Sequence, residues 1–116
     1  MIERIGKAAR WSDAVAFNGL VFLAGHVAEA TRGASVLEQT REVLAQLDDT
    51  LAQAGTSKAG LLSVTIYLAD IGRIDEMNQA WDAWVESDNP PARATVEARL
   101  AHPELAVEMI GVAALT

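Results

Sequence analysis

Arg93 and Glu108 are the residues of this 116-residue chain whose type and setting best suit chemistry. Arg93 follows Pro90-Pro91-Ala92 and opens a segment that alternates apolar and polar residues from Ala92 to Leu100. A guanidinium stays charged in any pocket and grips a carboxylate through two parallel hydrogen bonds. On pattern alone the same Arg also reads as a surface charge on the solvent side of a strand, because isolated exposed charges are common. Glu108 sits among Leu105, Ala106, Val107, Met109, Ile110, Gly111 and Val112, so either face of a strand puts it beside apolar groups. A carboxylate is rarely buried without a partner. Glu108 is therefore an edge position, the structural partner of an Arg, or a catalytic acid.

The remaining polar and aromatic residues narrow the chemistry. Trp11 stands in an irregular segment where an aromatic can wall a pocket, whereas Trp81 and Trp84 fall on a helical stripe and read as core. Asn78 neighbours that stripe, where it reads as solvated or as part of a site. His26 and His102 are the only histidines and do not form an i, i+4 pair; His26 reads as a satisfied structural residue. Cysteine is absent, which excludes a thiol nucleophile, a disulfide framework and cysteine-based metal sites. Glycine-rich phosphate loops and the G-x-S-x-G elbow are also missing, so neither a metal nor a cofactor is expected. Nine Lys and Arg against sixteen Asp and Glu give a net charge of −7 with no basic run, which argues against nucleic acid as a partner. No apolar run approaches the ~18 to 20 residues of a membrane span. The first residues lack the pattern of a secretory signal, so a cytoplasmic location is the expectation.

These residues need a scaffold, and the pattern supplies one. Ile2 to Ile5 reads as a short strand. Ala14 to Phe17 and Leu20 to Ala24 flank Asn18-Gly19, the preferred pair for a two-residue hairpin turn, and the hairpin is expected to stop near Gly25-His26. Ser35 and Glu38 have capping-box spacing ahead of a one-sided stripe that runs from Val36 to Ala54. Leu61 to Ala69 is a strand, Ile74 to Val85 a second helix ended by Pro90-Pro91, and Ala92 to Leu100 and Leu105 to Leu115 are two more strands. The order β-ββ-α-β-α-β-β predicts an α+β fold in one domain over residues 1–116, with two helices covering one face of a mixed six-stranded sheet. The final strand is apolar on both parities apart from Glu108, so the second face also needs cover, and a homo-oligomer is expected.

Pro91-Ala92-Arg93-Ala94-Thr95-Val96, then Arg99, then Val107-Glu108-Met109 resembles the signature of the RidA (YjgF, reactive intermediate/imine deaminase) family. The segments Asn18 to Val27, Leu61 to Asp70 and Met77 to Trp81 are similar to that family's hairpin, central strand and second helix. The resemblance implies a chorismate-mutase-like subunit assembled as a homotrimer, with ligand pockets between subunits and a small carboxylate-bearing metabolite as ligand. It implies that Arg93 grips the substrate carboxylate and that Glu108 positions or activates water. Gly25 would offer backbone contacts, with Thr95 and Asn78 lining the cleft. The implied reaction is hydrolysis of a 2-imino acid or its enamine tautomer to a 2-keto acid and ammonia. A non-catalytic trimer that binds small carboxylates through Arg93 is the alternative. Trp11, Ala24, His26 and Thr95 stand where the best-known branch carries Tyr, Ser, Gln and Cys, which marks a divergent subgroup.

Overall fold

The structure, a computed structural model, describes residues 1–115. After β1 (Glu3–Ile5), β2 (Ala14–Phe17) and β3 (Leu20–Val27) form the expected hairpin. Asn18 and Gly19 take φ angles of 52° and 78°, the left-handed pair that lets a two-residue turn follow the twist of its strands. α1 (Val36–Gln53) begins where the Ser35 hydroxyl accepts the Glu38 amide at 3.1 Å. β4 (Leu61–Leu68), α2 (Ile74–Trp84), β5 (Ala92–Glu97) and β6 (Val107–Ala114) complete the order. The strands make one mixed sheet, β1-β2-β3-β6-β4-β5. Only β4 and β5 pair in parallel, with α2 as their crossover.

One face of the sheet packs on both helices. Val21, Leu23, Val64, Ile66, Val107 and Met109 meet Val43, Leu47 and Leu51 of α1 and Met77 and Trp81 of α2, all of them buried. Each large side chain of this kind stabilises the fold by about 1.5–3 kcal/mol. Gln39 is a polar member of the interior at 1% exposure. Its amide nitrogen donates to the carbonyls of Ala34 (3.1 Å) and Glu104 (2.9 Å), and its oxygen accepts the Ala106 amide (2.8 Å). One side chain thus ties the start of α1 to the segment that leads into β6.

The other face has no helix over it. Phe17, Leu20, Phe22, Val96 and Ile110 point there and are 36% to 48% exposed. This is the doubly apolar sheet expected from the sequence, and its second face is open in the isolated chain.

Three boundaries differ from the sequence reading by more than one residue. β3 runs past Gly25-His26 to Val27 because a bulge between Leu23 and His26 lets the ladder to β6 resume. β5 stops at Glu97 rather than Leu100; Ala98 gives its amide to Leu68, and the chain then leaves the sheet. β6 starts at Val107 rather than Leu105, since the Ala106 amide is taken by Gln39. Trp81 is buried as expected, but Trp84 is half-buried and donates its indole N–H to Asp48 at 2.9 Å.

Two stability predictions follow from these contacts. Gln39→Leu keeps the volume but strands three backbone groups, and it should lower unfolding free energy by at least about 2 kcal/mol in urea titrations. Glu42 accepts hydrogen bonds from the Ala30 and Thr31 amides, the Thr31 hydroxyl and the Gln46 side chain at 2.7–3.0 Å. Burial alone would raise its pKa; these donors outweigh that and hold it below the usual carboxylate value. A carboxyl depressed in the folded state stabilises above its unfolded pKa, and the benefit is lost as pH falls through the folded value. Glu42→Gln should therefore shift the urea midpoint down at neutral pH and much less near roughly pH 3.

Candidate functional site

The register of the sheet decides where each candidate points. Arg93 pairs with Val64 and Thr95 with Ile66, and both β4 residues are buried against the helices. Arg93, Thr95 and Glu97 therefore lie on the helix side of β5, while Ala92, Ala94 and Val96 extend the open apolar face. Arg93 is exposed, as the surface reading has it, but it stands on the helix side of the sheet edge and leans over α2. Its Nη1 donates to Asn78 Oδ1 at 2.8 Å, and its guanidinium lies 5.2 Å from the centre of the Trp81 ring. Stacking over an aromatic face holds the planar group while leaving other N–H donors for a ligand. Two residues along, the Thr95 hydroxyl is the one buried side-chain polar atom without a hydrogen-bond partner among the described residues. An orphaned hydroxyl next to a fixed cation is a binding-site feature.

Glu108 belongs to a second cluster. It pairs with Tyr67 and Val27, which places it on the open face. A groove of about 350 Å³ contains it together with Gly25, Tyr67, Ala98, Arg99, Leu100 and Ile110. The carboxylate folds over Gly25 so closely that a Cβ there would lie 2.1 Å from Glu108 Oε2. No hydrogen bond or ion pair to the Glu108 carboxylate is present among the described residues. Gly25 also borders a smaller pocket, about 160 Å³, with Trp11 and His26. His26 is 8% exposed and uses both ring nitrogens, 2.6 Å from the Ala24 carbonyl and 2.9 Å from the Thr50 hydroxyl. It is a satisfied structural histidine, as read from the sequence.

The six residues singled out in the sequence thus fall into two half-sites. Arg93, Asn78 and Thr95 form one; Glu108 and Gly25 form the other, and Trp11 lines the adjoining small pocket on the far side of Gly25. Within a single chain the two do not meet. Arg93 and Glu108 lie on opposite faces, two strand spacings across and three residues along, on the order of 14 Å between Cα atoms. Trp81, Tyr67 and Arg99 were not singled out as site residues, although they line these clusters. The helical stripe assigns Trp81 to the core, and only the pairing of β5 with β4 reveals its second role beneath Arg93.

The approach of Glu108 to Gly25 can be tested directly. Gly25→Ala meets only the movable end of a side chain, so its unfolding free energy should stay within about 0.5 kcal/mol of the parent. The Glu108 carboxylate should swing to another rotamer, visible in a crystal structure or in its side-chain carbon resonances.

With the fold and both half-sites in view, the chain can be set against known proteins. Residues 1–115 match the family model described as endoribonuclease L-PSP. A RutC family protein of Haemophilus influenzae is 45% identical over 112 residues, covering 97% of each chain. The crystal structure of a YjgF family member from Neisseria meningitidis superposes with a TM-score of 0.96 at 48% identity, covering 100% of this chain and 96% of that one. A Rid family protein, YyfA from Yersinia pestis, gives a TM-score of 0.85 at 27% identity, covering 93% of this chain and 90% of the other. The protein that folds Arg93 over Trp81 and Glu108 over Gly25 belongs to the L-PSP family, whose members also carry the names RutC, YjgF and Rid.

Proposed function

We propose that this chain hydrolyses reactive 2-imino acids and their enamine tautomers to 2-keto acids and ammonia, in a pocket formed between subunits of a homotrimer. One observation carries the reading. Arg93 and Glu108 each lack an ion-pair partner among the described residues and lie on opposite faces of one sheet, so in this reading a neighbouring copy brings the two together. The open apolar face supplies a reason for copies to associate, because exposed patches of this kind mark contact surfaces.

In this reading Arg93 holds the substrate carboxylate, and Thr95 and Asn78 line the wall beside it. The iminium carbon is already electrophilic. Glu108 of the facing subunit takes a proton from water as its oxygen bonds to that carbon, which gives a carbinolamine. The same carboxyl returns the proton to nitrogen; the C–N bond then breaks and ammonia leaves as the carboxylate takes the hydroxyl proton, so that the keto group forms. Orientation by the Arg and proton transfer by a positioned acid are sufficient, and the latter is typically worth ~10²–10⁴-fold. A ribonuclease, the activity in the family model's description, would need a cationic path for phosphates, which a net charge of −7 does not favour.

The second reading is a carboxylate-binding trimer without turnover. It is favoured by the completeness of the Arg93 cluster, which can hold an anion with no help from Glu108. The two readings part on substitution. Glu108→Gln should abolish keto-acid release while 2-keto acids still bind in calorimetric titrations; unchanged turnover rules out its acid–base role. Arg93→Ala should weaken carboxylate ligands under either reading, by about 2–5 kcal/mol if the pair is enclosed. A site shared between chains makes a sharper demand. Mixed oligomers refolded from Arg93→Ala and Glu108→Gln subunits should regain turnover that neither parent shows, and absence of any recovery in oligomers shown to be mixed overturns the shared site.

A further inference from the structure

Two cavities meet along the segment that follows β5. Ala98, Arg99 and Leu100 line both the Glu108 groove and a larger cavity of about 590 Å³ that reaches His102. Arg99 is the one Lys or Arg lining either of them. The acid in the larger cavity, Glu97, is occupied as acceptor of the Ile71 amide at 3.1 Å. No carboxylate lies within ion-pair distance of Arg99 among the described residues, which leaves its donors open to the cavity it lines. On a chain of net charge −7, a guanidinium left unpaired in a concave wall offers an anion a point of attachment through paired hydrogen bonds.

We infer that Arg99 receives a second, distal carboxylate, so that the preferred substrates are 2-imino dicarboxylic acids. This rests on the deaminase reading above and specifies its substrate class. With the first carboxylate on Arg93 of a neighbouring subunit and the reacting carbon beside Glu108, the substrate side chain runs along the groove that Arg99 walls. The adjoining cavity gives that side chain room, and His102 adds a donor there. A planar guanidinium favours a carboxylate over an apolar end of equal length, because it binds the anion through paired hydrogen bonds.

The test uses the full chain and imino acids generated in situ by an amino-acid oxidase. Glutamate supplies the dicarboxylate and norvaline the apolar counterpart of similar length, each scored against spontaneous hydrolysis. The parent should show a higher kcat/KM for the dicarboxylate, by about tenfold or more, as expected when a charge pair forms in a partly enclosed site. Arg99→Met should collapse that ratio towards one, and Arg99→Lys should retain part of it. A parent without the preference, or a ratio untouched in Arg99→Met, overturns the assignment. If neither imine is accelerated, the deaminase reading fails separately. Calorimetric binding of 2-oxoglutarate against 2-oxopentanoate then decides the matter: an Arg99-dependent preference for the diacid upholds the subsite, and equal or absent binding refutes it.

Discussion

β6 lies between β3 and β4, and its two-residue alternation governs both faces of the sheet. Val107, Met109, Gly111 and Ala113 are buried towards the helices, which forces Glu108, Ile110 and Val112 to the opposite side. A slip of one residue would send the carboxylate into the core and Met109 out of it, at a cost that fixes the register firmly. Glu108 is therefore held in place by the burial of its neighbours and by the close approach of Gly25. An acid placed this way keeps its oxygens available, which a structural carboxylate such as Glu42, saturated by four donors, does not.

The parallel pairing of β4 and β5 has the complementary effect at the sheet edge. It directs the polar parity of β5 towards α2, where Asn78 and Trp81 fix the guanidinium of Arg93 from below. The sheet itself then stands between the cation and the acid. Such an arrangement gives one chain two separate clusters, on opposite faces of the sheet, and an uncovered apolar surface. Gly25 refines this further: its missing side chain leaves room for the Glu108 carboxylate, and the bulge there seats His26 in the layer below.

Much of this was legible in the residues. Asn18-Gly19 specifies a hairpin by its need for positive φ, Ser35 marks a helix start by its capping oxygen, and the doubly apolar run from Leu105 forecasts a sheet with two greasy faces. The side on which β5 turns its charges was not legible, because alternation gives two parities without saying which one meets the helices. That depends on the handed crossover through α2 and its pairing with β4, both long-range. Strand ends were misjudged for a related reason. Ala106 continues an apolar run, but a glutamine 67 positions away claims its amide. The site residues split the same way. Arg93 and Glu108 stand out by type and setting, whereas Trp81 and Arg99 gain their surroundings only from folded neighbours.

The placement of β6 has a consequence for how the molecule comes into being. It follows every other described strand in sequence, yet both its edges are needed to join the β1–β3 half of the sheet to the β4–β5 half. During synthesis the two halves emerge with facing edges unsatisfied, and the Gln39 latch near the beginning of α1 has nothing to close upon. Pairings of such high sequence separation are slow to form, and open strand edges invite misassembly while they wait. Until β6 is in place the facing edges of β3 and β4 stay unpaired, so the two halves of the sheet become one only when the strand latest in sequence is laid between them.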